Sequence, residues 1–137
     1  MNVEEIEKEI IEEFEIFGDD WEQKYEHLID LGKSLPPIKE ENKTDRNIIQ
    51  GCQSRVWLHA EKKENKIIFT AESEAIITKG MIALMIRVLS GQTANDIIEA
   101  KLDFIDKIGL KEHLSPTRAN GLVSMINRMK LDAIKLS

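Results

Sequence analysis

The chain of 137 residues has one cysteine, Cys52. A single thiol forms no internal disulfide, which fits a reducing compartment. Zinc sites draw on three or four clustered ligands, and iron–sulfur scaffolds ordinarily need several thiolates. The three histidines, His27, His59 and His113, lie far apart and form no pair with a recognisable ligand spacing. These shortages argue against a resident metal. No apolar run approaches the length of a membrane span. The start, Met1-Asn2-Val3-Glu4-Glu5, lacks the basic end and apolar middle of a signal peptide. The expectation is a cytoplasmic protein with no membrane contact. There is no basic cluster, and the sequence pI is about 5.2, so nothing points to nucleic acid. No repeat, low-complexity tract or domain linker interrupts the chain, and one domain spanning 1–137 is expected.

What is present is an ordinary globular composition, 42% hydrophobic and 32% charged. The net charge of −6 is unevenly spread. Residues 1–30 hold twelve acidic side chains against two lysines; the rest hold 13 acidic against 17 basic. Such an acidic segment suits either a basic partner or, more simply, a solvated helix face.

Helical periods account for that segment. Asn2 is placed to cap a helix whose stripe is Val3, Ile6, Ile10, Phe14 and Phe17. Asp20 with Gln23 predicts a capping box for a second helix bearing Trp21, Tyr25, Leu28 and Ile29. Trp21 and Tyr25, at helical spacing, read as core residues with their polar tips at the rim. Strand signals begin near Arg46 or Asn47, resume at Arg55–Leu58 and again at Lys66–Ala71. They predict three short antiparallel strands in a meander. From Ala75 the period is helical, apolar nearly all round through Leu89, as in a central buried helix. Thr93 and Ser115-Pro116 mark later helix starts. The methionines at helical spacing read as core filler. The sum is an α+β fold: a small three-stranded antiparallel sheet with helices packed on one face.

Cys52 sits in the stretch Asn47-Ile48-Ile49-Gln50-Gly51-Cys52-Gln53-Ser54-Arg55-Val56-Trp57-Leu58. Gly51 allows a sharp turn, and Gln53 and Ser54 suit a loop, so the thiol is expected at a turn tip between two strands. A free cysteine is most often a small buried hydrophobe; a turn-tip thiol is one that a partner can reach.

Gly51-Cys52-Gln53-Ser54-Arg55-Val56-Trp57 closely resembles the active-site loop of the SufE family of sulfur-acceptor proteins. Glu72–Met81, running on to Leu89-Ser90-Gly91, and His113–Leu122 resemble the same family, in family order and over nearly the whole chain. Ala94 stands where many members have proline, a departure that touches helix initiation. The resemblance implies the same α+β architecture, shared with the NifU-like scaffold proteins. It implies that Cys52 accepts persulfide sulfur from a pyridoxal-phosphate cysteine desulfurase, stimulates that enzyme, and hands the sulfur to an iron–sulfur cluster assembly complex. The pyridoxal phosphate would belong to the desulfurase, leaving this chain without a cofactor. Gly51, Gln53 and Ser54 match the loop around the catalytic Cys52. Arg118 matches the arginine of the Ser-Pro-x-Arg block, where it would place positive charge near the thiolate. Glu74 matches an acidic position beside the loop, as a partner contact or as helix N-terminal charge compensation.

The residues can be read for chemistry without the resemblance. Gln50-Gly51-Cys52 superficially resembles the papain loop, but the following residues differ and the chain is too short for that two-lobed fold. Sulfur relay needs one accessible, partly ionised thiol. A second nearby thiol could attack the new persulfide and release sulfide. The alternative is a non-catalytic interaction adaptor whose cysteine is structural.

Overall fold

The acidic start of the chain folds as two helices. α1 (Val3–Glu15) begins at Asn2, whose side chain accepts the Glu5 amide at 2.8 Å while the Asn2 amide donates to the Glu5 carboxylate at 3.1 Å. α2 (Trp21–Lys33) begins at Asp20, which accepts the Gln23 amide at 3.2 Å. The expected capping box is only half formed there. Gln23 donates its side-chain amide to the Asp20 carboxylate at 2.8 Å and so does not reach back to the Asp20 backbone. The computed structural model describes every residue, Met1 to Ser137.

Two strands follow, β1 (Val56–Lys63) and β2 (Lys66–Ser73), antiparallel with Val56 opposite Ser73 and Lys63 opposite Lys66. The sheet therefore has two strands and not the three that the apolar pair Ile48-Ile49 suggested. Ile48 makes one bridge to Trp57, and the Ile49 amide donates to the Val56 carbonyl at 2.9 Å. The reason is local. Asp45–Asn47 coil into a 3-10 turn, and Gly51 takes φ 93°, so too little extended chain remains between them to build a ladder. The free edge of β2 is closed in the same economical way, by one bridge between Ile67 and Gln92.

α3 (Ile76–Leu89) is buried on nearly every side and packs against α2, β2, α1 and α6. Its crossing with α2 is unusually close. A Cβ built on Gly80 would stand 2.8 Å from the carbonyl carbon of Leu28, and one on Gly32 would stand 2.9 Å from the Gly80 amide nitrogen. α4 (Ala94–Glu99) starts at Thr93, which accepts the Asp96 amide at 3.2 Å, and a single turn, α5 (Phe104–Lys107), follows. α6 (Pro116–Leu136) starts at Ser115, whose hydroxyl accepts the Arg118 amide at 3.3 Å, and lies against β1, α3 and α4. Trp21 and Tyr25 are partly buried. Trp21 stacks on His113 with ring centroids 3.9 Å apart, and the Tyr25 hydroxyl donates to the His113 carbonyl. No helix is long and apolar enough to cross a membrane.

Arg87 ties α3 to α1. It donates to Glu13 at 2.9 Å and to Glu9 at 2.7 Å, and His27 of α2 meets Glu13 at 3.0 Å. The Arg87 hydrogen bond, against an opposing contribution from burial, holds the Glu13 carboxyl below the usual carboxylate range. A depressed folded pKa adds stability above the unfolded value, about 4.3. That stability is lost as pH falls below it and through the folded pKa. Glu13→Gln is expected to flatten the acid limb of stability: urea midpoints measured from pH 6 down to pH 3 should fall less steeply than in the wild type. Parallel limbs would remove Glu13 from the acid response.

Candidate functional site

Cys52 lies in the loop that joins the Ile48 bridge to β1. The loop turns at Gly51, which is glycine for two reasons. Its φ of 93° is left-handed, and a Cβ there would collide with Ser124 of α6, whose own Cβ would be 3.3 Å away. The close approach sets the next residue against the same helix. The Cys52 thiol lies 3.6 Å from the carbonyl oxygen of Gly121, a long, weak sulfur contact. Gly121 presents no side chain, so the sulfur sits almost on the helix backbone. Cys52 is half-buried, and that burial pushes its thiol above the ordinary thiol range.

Beside the sulfur is a cavity of about 70 Å³. A cavity of this kind needs only about 10–15 Å³ to admit a water, so there is room for an added sulfur atom. Three separated parts of the chain build it. The loop supplies Cys52, Gln53 and Ser54; the start of α3 supplies Ala75, Thr78 and Met81; α6 supplies Thr117, Arg118, Gly121 and Met125. Met81 and Met125 are fully buried and form an apolar floor, while Gln53 and Arg118 are exposed at the rim.

Of the residues that the sequence singled out, Gly51, Cys52, Gln53, Ser54 and Arg118 come together here, with Gly51 behind the loop. Arg118 reaches the cavity wall, yet in this conformation burial alone acts on the thiol. Arg118→Ala is accordingly expected to leave the pH profile of Cys52 alkylation in the isolated protein unchanged. A raised apparent thiol pKa in that variant would show that the guanidinium reaches the thiolate. Glu74 stands outside the cavity. Its carboxylate receives Arg55 through two hydrogen bonds, at 2.9 and 2.7 Å, and these hold it below the usual carboxylate range. Arg55 also lies over the Trp57 ring, 5.3 Å from its centroid. Arg55, Thr78 and Thr117 fall within the stretches that resemble the family without being singled out there, and Ser124 falls outside them. For Ser124 a signal was present: Gly121 and Ser124 are three apart on one helix face. No three His, Cys, Asp or Glu side chains converge as a metal site.

The domain is α+β and holds one half-buried thiol against a small cavity, on the loop between a strand bridge and β1 and packed on α6. The same arrangement of elements occurs in a hypothetical protein from Thermus thermophilus whose solution structure is known. Its TM-score is 0.79 over 96% of this chain and 95% of that one, at 21% identity. The SufE family model, described as an Fe-S metabolism associated domain, matches residues 8–133. The chain belongs to the SufE family. It is 46% identical over 131 residues to an uncharacterised SufE-like protein of Rhizobium meliloti, covering 91% of this chain and 92% of that one. It is 38% identical over 125 residues to one from Synechocystis, covering 91% and 78%. It is also 39% identical over 114 residues to SufE-like protein 1, chloroplastic/mitochondrial, of Arabidopsis thaliana, covering 82% of this chain and 31% of that longer protein.

Proposed function

We propose that this protein is a sulfur carrier in iron–sulfur cluster assembly, with Cys52 as the carrying residue. The observation that carries the reading is the half-buried thiol facing a cavity with room for one more sulfur. The donor is a cysteine persulfide on a pyridoxal-phosphate cysteine desulfurase. The Cys52 thiolate attacks the outer sulfur of that persulfide; the donor's S–S bond breaks and the donor cysteine leaves as a thiolate. A new S–S bond forms on Cys52, and no external oxidant or reductant takes part. The outer sulfur then passes to a thiolate of an iron–sulfur scaffold complex by the same exchange. The pyridoxal phosphate stays with the desulfurase, and this chain supplies no cofactor. By removing the product sulfur, the carrier stimulates its donor enzyme.

Burial serves the carrier and opposes the chemistry. It shields a persulfide from solvent thiols, but it also keeps the free thiol protonated and slow. Docking of the desulfurase therefore has to bring Cys52 outward. Gln53 is exposed and Ser54 makes no hydrogen bond, so neither resists that movement. Gly51, Arg118 and Glu74 with its partner Arg55 frame the surface where docking would occur, and the compartment proposed is the cytoplasm.

The test is incubation with a cysteine desulfurase and cysteine, followed by intact-mass analysis. The wild-type protein is expected to gain one sulfur atom, removable by a reducing thiol. A protein that never gains sulfur, and whose Cys52 reacts with alkylating reagents only after unfolding, is instead an adaptor with a structural cysteine.

A further inference from the structure

The loop that carries Cys52 is held in place almost entirely from its ends. Residues 50–54 make no backbone–backbone hydrogen bond, and the only side-chain contact of this kind among them is the weak one from Cys52 to Gly121. The downstream end is fixed at Arg55, whose carbonyl accepts the Glu74 amide at 3.3 Å and the Ser73 hydroxyl at 3.1 Å. The upstream end is fixed to β1 by Ile49 and to α6 by one side chain, Arg128. Its guanidinium donates to the Ile48 carbonyl at 3.2 Å and to the Arg46 carbonyl at 3.0 Å. Its Nε donates to Asp132, one turn further along α6, at 3.2 Å.

We propose that Arg128 is a positioning residue: by clamping the two carbonyls upstream of the loop onto α6, it presses Cys52 against that helix and sets how readily the thiol can be reached. The inference rests on the carrier reading for its purpose, but its mechanics do not depend on sulfur transfer. Three lines of geometry support it. Gly121, Ser124 and Arg128 follow one another at spacings of three and four, so they form one stripe along α6. Each meets a different part of the same chain segment: Gly121 the Cys52 sulfur, Ser124 the turn at Gly51, and Arg128 the approach to the turn. A guanidinium is also suited to the task. Its planar fork donates in several fixed directions at once, which a lysine ammonium on a flexible stem does not reproduce. Asp132, with its side chain only 13% exposed, holds the fork in orientation.

Without the clamp, the chain before the loop is held by the single bridge between Ile48 and Trp57, with the Ile49 amide on the Val56 carbonyl, and by the buried Ile49 side chain, and no longer by any hydrogen bond from α6. The turn then loses its backing on Ser124, and Cys52 spends more time away from Gly121. A thiol released from apolar surroundings ionises more readily. The consequence is a change in both the rate and the pH dependence of thiol chemistry, which distinguishes a positioning role from a general contribution to stability.

The experiment measures alkylation of Cys52 in the native protein across pH, for wild type, Arg128→Met, Arg128→Lys and Asp132→Asn, with the unfolding midpoint of each. Arg128→Met is expected to alkylate several-fold faster near neutral pH, with an apparent thiol pKa displaced downward toward the ordinary thiol value. Arg128→Lys, able to reach one carbonyl at a time, should fall between it and the wild type. Asp132→Asn, which leaves both carbonyl contacts in place, should stay nearest the wild type. If Arg128→Met does not fold, the Arg128→Lys profile decides the matter. A lysine variant, folded at the wild-type midpoint or below it, with a profile superimposable on the wild type overturns the proposal, and so does the same result for a folded Arg128→Met. Because no desulfurase is present, failure of sulfur acceptance would leave this outcome unaffected. Conversely, an unchanged profile would leave the carrier reading standing.

Discussion

Cys52→Ser is expected to keep its fold and to lose sulfur acceptance entirely. Serine is nearly the same size, and the cysteine it replaces makes one long contact with Gly121. A half-buried position with so little attached to it predicts a stability change within about 1 kcal/mol. The chemistry has no such tolerance. A serine hydroxyl stays protonated at neutral pH and is a far weaker nucleophile than a thiolate, so it cannot attack a persulfide. The chain has no second thiol to take over. In the mass experiment the variant should show no sulfur adduct under conditions that load the wild type. Its thermal midpoint should also stay near the wild-type value, so that the loss cannot be ascribed to unfolding. An adduct of equal yield on the serine variant would mean that sulfur is attached elsewhere and that Cys52 is not the carrier.

Gly80→Ala should produce the largest loss of stability from a single methyl group. In an ordinary helix interior this exchange would stabilise, by about 0.5–1 kcal/mol. Gly80 is different because α2 lies directly on it. The added carbon would press into the backbone carbonyl of Leu28, and backbone cannot move aside as a flexible side chain can. The two helices must separate, and α3 carries the centre of the core. Forced overpacking of this kind typically costs about 1–3 kcal/mol and sometimes more. Set against the gain in helix propensity, a net loss is expected, lowering the thermal midpoint by roughly 5–10 °C. A midpoint equal to or above that of the wild type would show that α2 and α3 separate without penalty.

Much of the fold was legible because its signals are short-range. The caps at Asn2, Asp20, Thr93 and Ser115 all form, since a capping side chain needs only the amide three residues ahead. The apolar pattern from Ala75 to Leu89 became a central helix because nearly every face beyond its first turn is covered. The third strand failed where a local signal needed a long-range partner. Ile48-Ile49 has the composition of a strand, but the 3-10 turn before it and the turn at Gly51 after it leave room for one bridge.

The site was legible to a similar depth. A lone cysteine after a glycine, with polar residues following, was enough to place a thiol on a turn. It was not enough to show which helix the turn would touch. Glu74 could be noticed as an acid near the loop, yet its partner is Arg55, nineteen residues earlier, and that pairing follows from the register of β1 and β2. Likewise nothing in the sequence links Gly32 to Gly80. Their shared meaning exists only once α2 and α3 have crossed.

The contact between Cys52 and Gly121 spans 69 residues of sequence. During synthesis, which runs from the N-terminus, the thiol leaves the ribosome well before the helix that shelters it. Until α6 is made and docks, the loop has neither the wall at Gly121 nor the support at Ser124, and the cavity has only two of its three sides. The newborn chain thus carries its one thiol bare, and completing the last helix is what covers it.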